Sequence, residues 1–181
     1  MKPINFPSYI KSDRIYLRSL KPEDANVLFD LIDSQRKYIG EHLDWIENIQ
    51  TLDDEIKYVQ KRIEAKKDLK EFNWCIFKND TDEFLGYIGT DPVSTELLKK
   101  GECIDWVSGT ISFAYFLKQE ANGNGYMAEA LCALKDLAVE LGFKRIEINS
   151  EAANIKSQKV AQRCGFTHDK RDTGKMYFET K

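Results

Sequence analysis

Histidine is almost missing from this chain: His42 and His168 are the only two, far apart and in no metal-ligand spacing. A zinc site is therefore not expected, and no metal is assigned. Cysteine is sparse as well. Cys75, Cys103, Cys132 and Cys164 form no C-x-x-C pair, and they read as four reduced thiols in a cytoplasmic protein, with Cys132 a bystander. No apolar run approaches the ~20 residues of a membrane span. Residues 1–11 lack the apolar core of a secretion signal. An excess of positive charge is also lacking: 27 Lys and Arg face 30 Asp and Glu, a net charge of −3. Bulk nucleic-acid binding usually needs a basic face, so no direct nucleic-acid binding is expected. There is no repeat, low-complexity tract or linker. A length of 181 residues suffices for one sizeable core and is short for two, so residues 1–181 read as one domain.

What is present is a succession of periodic segments. Residues 14–20 alternate as a strand. Pro22, Glu23 and Asp24 suit a helix start, and Ala25, Leu28, Phe29 and Ile32 give that helix an apolar face. A short helix is predicted at 34–41. Thr51 with Asp54 three residues on is a variant capping box for a helix to about Leu69. Residues 72–77 and 84–88 flank Asn79-Asp80-Thr81-Asp82 as a hairpin. The polar stretch 94–101 reads as a long turn or insertion. Further strands fall within 104–117, at 145–149 and at 175–180, with one helix after the glycine loop, carrying Met127 to Leu141, and another at 154–164. On the first of these helices Met127, Ala130, Leu131, Leu134, Leu137, Ala138 and Leu141 share one face. The order predicts an α/β or α+β fold with a mixed, mostly antiparallel central sheet flanked by helices.

The richest segment is 111–138: an apolar strand, a loop with Gly123 and Gly125, then an amphipathic helix. The first N–H groups of a helix lack intrahelical partners, and the helix dipole favours an anion there. A phosphorylated ligand is therefore expected. Gly123-Asn124-Gly125-Tyr126-Met127-Ala128 fits G-x-G-x-x-G/A literally, with Glu147 or Glu151 placed for a ribose. A doubly wound dinucleotide domain needs more βα units than the remaining chain supplies, and a hairpin before the motif does not suit it.

The same loop, as Glu120-Ala121-Asn122-Gly123-Asn124-Gly125, resembles the Q/R-x-x-G-x-G/A motif of the GNAT superfamily of N-acetyltransferases. The likeness is greatest to the RimJ/RimL branch, which acetylates ribosomal-protein N-termini. It is carried by Arg14-Ile15-Tyr16-Leu17-Arg18 with Pro22-Glu23-Asp24-Ala25, by Leu43-Asp44-Trp45, by Phe84 to Gly89, by Tyr115 to Ala130, and by Asn154 to Ala161 with Cys164-Gly165-Phe166. The resemblance implies acetyl-CoA as cosubstrate and direct transfer to a primary amine on a protein N-terminus, peptide or small molecule. It implies that the backbone of Ala121, Asn122, Gly123, Asn124, Gly125 and Tyr126 cradles the pyrophosphate. Asn154 would bind the coenzyme arm and Ser157 would serve the leaving thiolate. Arg163 would reach a phosphate or lie on a solvated face. Among the aromatic residues Trp45, Trp74, Trp106, Tyr115 and Phe116, it singles out Trp45 for the acceptor pocket.

Two departures stand out. Glu120 replaces Gln or Arg. Ser112 stands where related sequences often carry Glu, a candidate base; Glu41, Asp44, Asp105 and an ordered water remain as replacements. The chain after Phe166 is also shorter than in most members, which implies an open cleft or one closed by a partner subunit, as in a homodimer. Detoxification of an amine-bearing antibiotic or nucleotide-peptide toxin is the rival to ribosomal-protein modification. A non-catalytic acyl-CoA-binding module is the rival from another class.

Overall fold

The computed structural model describes residues 1–169 and 172–180. Eight strands form one sheet in the order β1-β2-β3-β4-β5-β6-β8-β7. They are β1 (Tyr9–Lys11), β2 (Ile15–Ser19), β3 (Asn73–Lys78), β4 (Phe84–Asp91), β5 (Thr110–Leu117), β6 (Arg145–Asn149), β7 (Thr167–Asp169) and β8 (Asp172–Glu179). Every neighbouring pair is antiparallel except β5 and β6. That single parallel pair needs a crossover, supplied by the glycine loop and the helix after it.

The helices are α1 (Asp24–Ser34), α2 (Arg36–Gly40), α3 (Leu52–Lys67), α4 (Thr95–Lys100), α5 (Tyr126–Glu140) and α6 (Ile155–Arg163). The sheet separates two cores. α5 and α6 cover one face, where Met127, Ala130, Leu131, Leu134 and Ala138 pack on Ile111, Phe113, Ile146 and Ile148. The helices α1 to α3 cover the other, where Leu28, Ile32 and Val59 pack with Tyr87 and Phe116. Alternation along β5 therefore sends Phe113 to the α5 side and Ser112 and Phe116 to the α1–α3 side. The α3 N-terminus carries the full capping box: Asp54 N–H donates to Thr51 Oγ1 at 3.2 Å, and Thr51 N–H donates back to Asp54 Oδ2 at 2.9 Å.

Two expectations are corrected. Residues 94–101 are not a turn: Ser94 caps α4 by accepting from Leu97 N–H, and Gly101 ends it in the left-handed region. A polar helix this short leaves no buried face to read. The four-thiol expectation also fails. Cys132 on α5 and Cys164 at the end of α6 are joined by a disulfide, their Cα atoms 5.1 Å apart. The packing of α6 on α5 brings together two cysteines 32 residues apart, a pairing no spacing motif marks. Cys75 and Cys103 are free and buried. The dinucleotide reading lapses with the topology, because one parallel pair within an antiparallel sheet is not a doubly wound domain.

Candidate active site

The β5–β6 pairing runs only from Thr110↔Arg145 to Phe113↔Ile148. Beyond it lies a cleft of about 870 Å³. The second half of β5, the end of β6, Met127 of α5 and Asn154, Ser157 and Val160 of α6 line it, and Glu41, His42 and Leu43 close it from the α2 side.

At one end the glycine loop meets α5. Gly123 and Gly125 have φ of 81° and 83°, a left-handed geometry that glycine adopts without strain. Gly125 caps α5 with no side-chain hydrogen bond. Among the described residues, none accepts from the backbone N–H of Gly123, Asn124, Gly125, Tyr126, Met127 or Ala128. Six successive donors at a helix start form an anion nest. A Cβ at Gly123 would meet nothing within 4 Å, so the approach is open. Ala121 and Asn122 spend their N–H groups on Lys118 O and Gln119 O, although Asn122 still lines the cleft.

Arg14 holds this loop, and no motif had marked it for that task. Its Nη1 donates to Asn124 O at 2.9 Å and its Nε to Glu129 Oε2 at 2.8 Å. Burial opposes ionisation of Glu129, but hydrogen bonds from Arg14 outweigh it and hold the carboxyl below its usual range. Glu120 turns away from the nest. Gln35 Nε2 donates to both its oxygens at 3.2 and 3.0 Å, while Gln35 Oε1 accepts from Gln119 N–H at 2.8 Å.

In the middle of the cleft, Asn154 caps α6, its Oδ1 accepting from Ser157 N–H at 3.0 Å. The Ser157 hydroxyl lies 3.0 Å from the Tyr115 hydroxyl, which also donates to Ser157 O at 3.2 Å. Burial pushes Tyr115 up to about 12, against the lowering effect of its bond to Ser157. Tyr115 thus stands beside Ser157, across 42 residues of sequence.

Next to the cleft, on the α1–α3 face, lies a polar cluster of which Asn149 is a lining residue and Ser112 and Asp91 are not. Ser112 is fully buried and pairs in register with Asp91 of β4 on one side and Glu147 of β6 on the other. Asn149 Nδ2 donates to Asp91 Oδ2 at 3.1 Å and to Ser112 Oγ at 3.4 Å. Burial raises the Asp91 pKa, against the lowering effects of the Asn149 bond and the Arg62 charge. Deeper under α3, Arg62 pairs with Glu71 and donates to Tyr58 Oη at 3.1 Å. Glu55, 1% exposed, is pushed up to about 7 by burial.

Of the carboxylates considered as replacements for Ser112, Glu41 lines the cleft. Asp44 is exposed at the start of the 3-10 turn Asp44–Asn48 and is not a lining residue. Asp105 accepts from the N–H groups of Val107 and Ser108, both at 3.0 Å, in the turn before β5. Trp45 stacks on Tyr58 at 5.2 Å and reaches Phe116 at 6.0 Å, behind the cleft wall. Trp74 is fully buried and Trp106 packs on Phe143. Arg163, in the last turn of α6, is exposed.

Comparison with known proteins agrees with this geometry. The chain is 26% identical over 160 residues to the probable N-acetyltransferase YjcK of Bacillus subtilis, covering 87% of this chain and 82% of that one. It is 26% identical over 156 residues to the ribosomal-protein-serine acetyltransferase of Escherichia coli, covering 86% and 80%. Among solved structures, the ribosomal L7/L12 alpha-N-protein acetyltransferase RimL in complex with coenzyme A superposes with a TM-score of 0.81 at 20% identity, over 94% of this chain and 97% of that one. The microcin C7 self-immunity acetyltransferase MccE, in complex with acetyl-CoA and AMP, gives 0.80 at 21% identity over 97% and 98%. The acetyltransferase (GNAT) domain model matches residues 14–167. Glycine nest, split sheet and family match all fall within that span, and the chain belongs to the GNAT acetyltransferase family.

Proposed function

We propose that the chain transfers the acetyl group of acetyl-CoA directly to a primary amine, on a peptide N-terminus or a small molecule, in the cytoplasm. The observation that carries this reading is the run of six unpartnered N–H groups beside a cleft that Met127 also lines and that holds the Tyr115–Ser157 pair. The nest suits the pyrophosphate, and Gly123, Asn124, Gly125 and Tyr126 hold it through their backbone. Acetyl-CoA supplies an activated thioester. Asn154 orients the first turn of α6, and Ser157 presents its hydroxyl to the developing thiolate. Trp45 backs the acceptor wall through Phe116. No protein nucleophile is required. Among the described residues no His, Cys, Asp and Glu cluster suits a metal, and no helix is long and apolar enough to cross a membrane.

Relatives named for ribosomal proteins favour a protein N-terminus as acceptor, and the MccE likeness keeps a nucleotide-linked toxin as the rival. The absence of a carboxylate at Ser112 favours one further reading, an acyl-CoA-binding module without turnover. Calorimetric titration with acetyl-CoA, with NADH and NADPH as controls, tests the ligand. An acceptor screen of peptides with free N-termini and of aminated antibiotics tests transfer. Acetyl-CoA binding followed by acetylation is expected. Nicotinamide binding overturns the reading, and tight acetyl-CoA binding without transfer to any amine selects the module.

A further inference from the structure

We propose that Asp91, on β4, takes the proton from the acceptor amine in this chain through water. The inference rests on the acetyltransferase reading and assigns a residue to its proton-removing step. At neutral pH an aliphatic amine is mostly an ammonium with no lone pair to offer, so a group beside the acceptor must accept a proton.

The register shows which carboxylate is placed for this. Ser112 is buried on the α1–α3 face of β5, at the position where the resemblance places a base, and cannot act as one. Its antiparallel partner is Asp91. Paired residues point to the same sheet face with Cα atoms about 5 Å apart, so the carboxylate sits one strand over. The β6 partner, Glu147, is less suited. Arg145 Nε lies 2.5 Å from one of its oxygens and Lys175 Nζ 3.1 Å from the other, so its charge is already matched. Among the described residues the Asp91 carboxylate accepts one side-chain hydrogen bond, from Asn149; Asp91 lies one residue behind the cleft surface, and Asn149 is the lining residue that connects it to the cleft.

The groups that bear on Asp91 are Ser112 on β5, Asn149 on β6 and Arg62 on α3. Arg62 is committed to Glu71 and Tyr58. Glu41 and Glu151 also line the cleft, but Glu151 is engaged with His42 Nδ1 at 3.0 Å. Glu41 is exposed at the end of α2, whereas Asp91 is half-buried beside Ser112 and held by Asn149. The raised pKa of Asp91 makes it a stronger base than an exposed aspartate.

The protons and electrons balance as follows. The ammonium gives one proton through water to Asp91, which passes it to solvent. The nitrogen lone pair forms the C–N bond at the thioester carbonyl. The tetrahedral intermediate then expels the C–S electron pair onto sulfur. The nitrogen loses its second surplus proton, and the thiolate gains one. The amide, the coenzyme thiol and one released proton are the products.

The test compares Asp91→Asn, Asp91→Glu and Asp91→Asn with Ser112→Glu against wild type. The probe is a Ser-initiated peptide with a free N-terminus. If wild type leaves the peptide untouched, the readout is its slow hydrolysis of acetyl-CoA, in which the same carboxylate deprotonates water. Thermal melts and acetyl-CoA affinity confirm that each variant folds. Asp91→Asn is expected to lower kcat about 100-fold or more, within the range for general-base catalysis. The KM for acetyl-CoA should hold, and the lost rate should return as pH rises toward the amine's own pKa. Asp91→Glu and the Ser112→Glu combination should recover part of the rate. An active wild type with Asp91→Asn unchanged in kcat and in the acid limb of its pH profile overturns the assignment to Asp91. A wild type that neither transfers nor hydrolyses overturns the catalytic reading, and this proposal with it.

Discussion

Replacing Ser157 with Ala separates two ways of assisting the leaving thiolate. The Ser157 and Tyr115 hydroxyls are 3.0 Å apart. Tyr115 carries one proton, and when it goes to Ser157 Oγ rather than to Ser157 O the serine proton is left for the cleft. Burial holds Tyr115 at about 12, whereas an ordinary thiol titrates near ~8.5. Complete transfer of the phenolic proton to sulfur would therefore run uphill by roughly 3.5 units, about 5 kcal/mol. The pair is better placed to stabilise developing charge through a hydrogen bond than to surrender a proton. One charge-assisted hydrogen bond contributes about 1.5–3 kcal/mol, which is roughly 10- to 150-fold in rate. Ser157→Ala should thus lower kcat by that factor while the calorimetric Kd for acetyl-CoA changes little. Tyr115→Phe should cost less, and the double variant little more than Ser157→Ala, because the two act as a unit. The assay is coenzyme thiol release followed with a chromogenic thiol reagent. Full activity in Ser157→Ala, or a loss of affinity equal to the loss of turnover, refutes the reasoning.

Gly125→Val should weaken acetyl-CoA binding at least 100-fold, because a β-branched residue at φ 83° strains the turn and its side chain crowds the nest; unchanged affinity by calorimetry defeats the nest assignment. Glu55 is raised from 4.5 to about 7 by burial, so the unfolded chain loses this proton first and stability falls as pH rises from about 4.5 to 7, by about 3 kcal/mol in all. Glu55→Gln should raise Tm at pH 8 and not at pH 5, and an equal gain at both refutes it. Without reductant the denatured chain should show two titratable thiols, Cys75 and Cys103, and four after reduction. Reduction should lower stability by roughly 3–4 kcal/mol in the chain-entropy model for a loop of this length; four thiols without reductant refute the pairing.

Local signals in the sequence were enough for the elements that carry them. The stripe from Met127 to Ala138, the Thr51–Asp54 box and the alternation around Ile15 and Leu17 each reflect a period or a cap within one segment. The glycine loop was legible for the same reason. What escaped depends on partners far apart in sequence. Tyr115 meets Ser157 only after β6 returns beside β5, and Arg14 reaches Asn124 and Glu129 only once β2 lies near the α5 start. Asp91 faces Ser112 through a hairpin whose register no residue type announces. The short strands β1 and β7 gain their pairing from a neighbour rather than from their own pattern.

The brief β5–β6 pairing also divides the molecule mechanically. Among the described residues, four residue pairs, Thr110 to Phe113 with Arg145 to Ile148, form the seam in the sheet between the five strands β1–β5 and the three strands β6–β8. A seam so short is where the sheet should breathe, with amide exchange fastest at its open end near Phe113 and Ile148. A ligand seated in that opening touches both halves at once and works as a keystone, so its arrival should slow exchange in strands on either side that it never contacts.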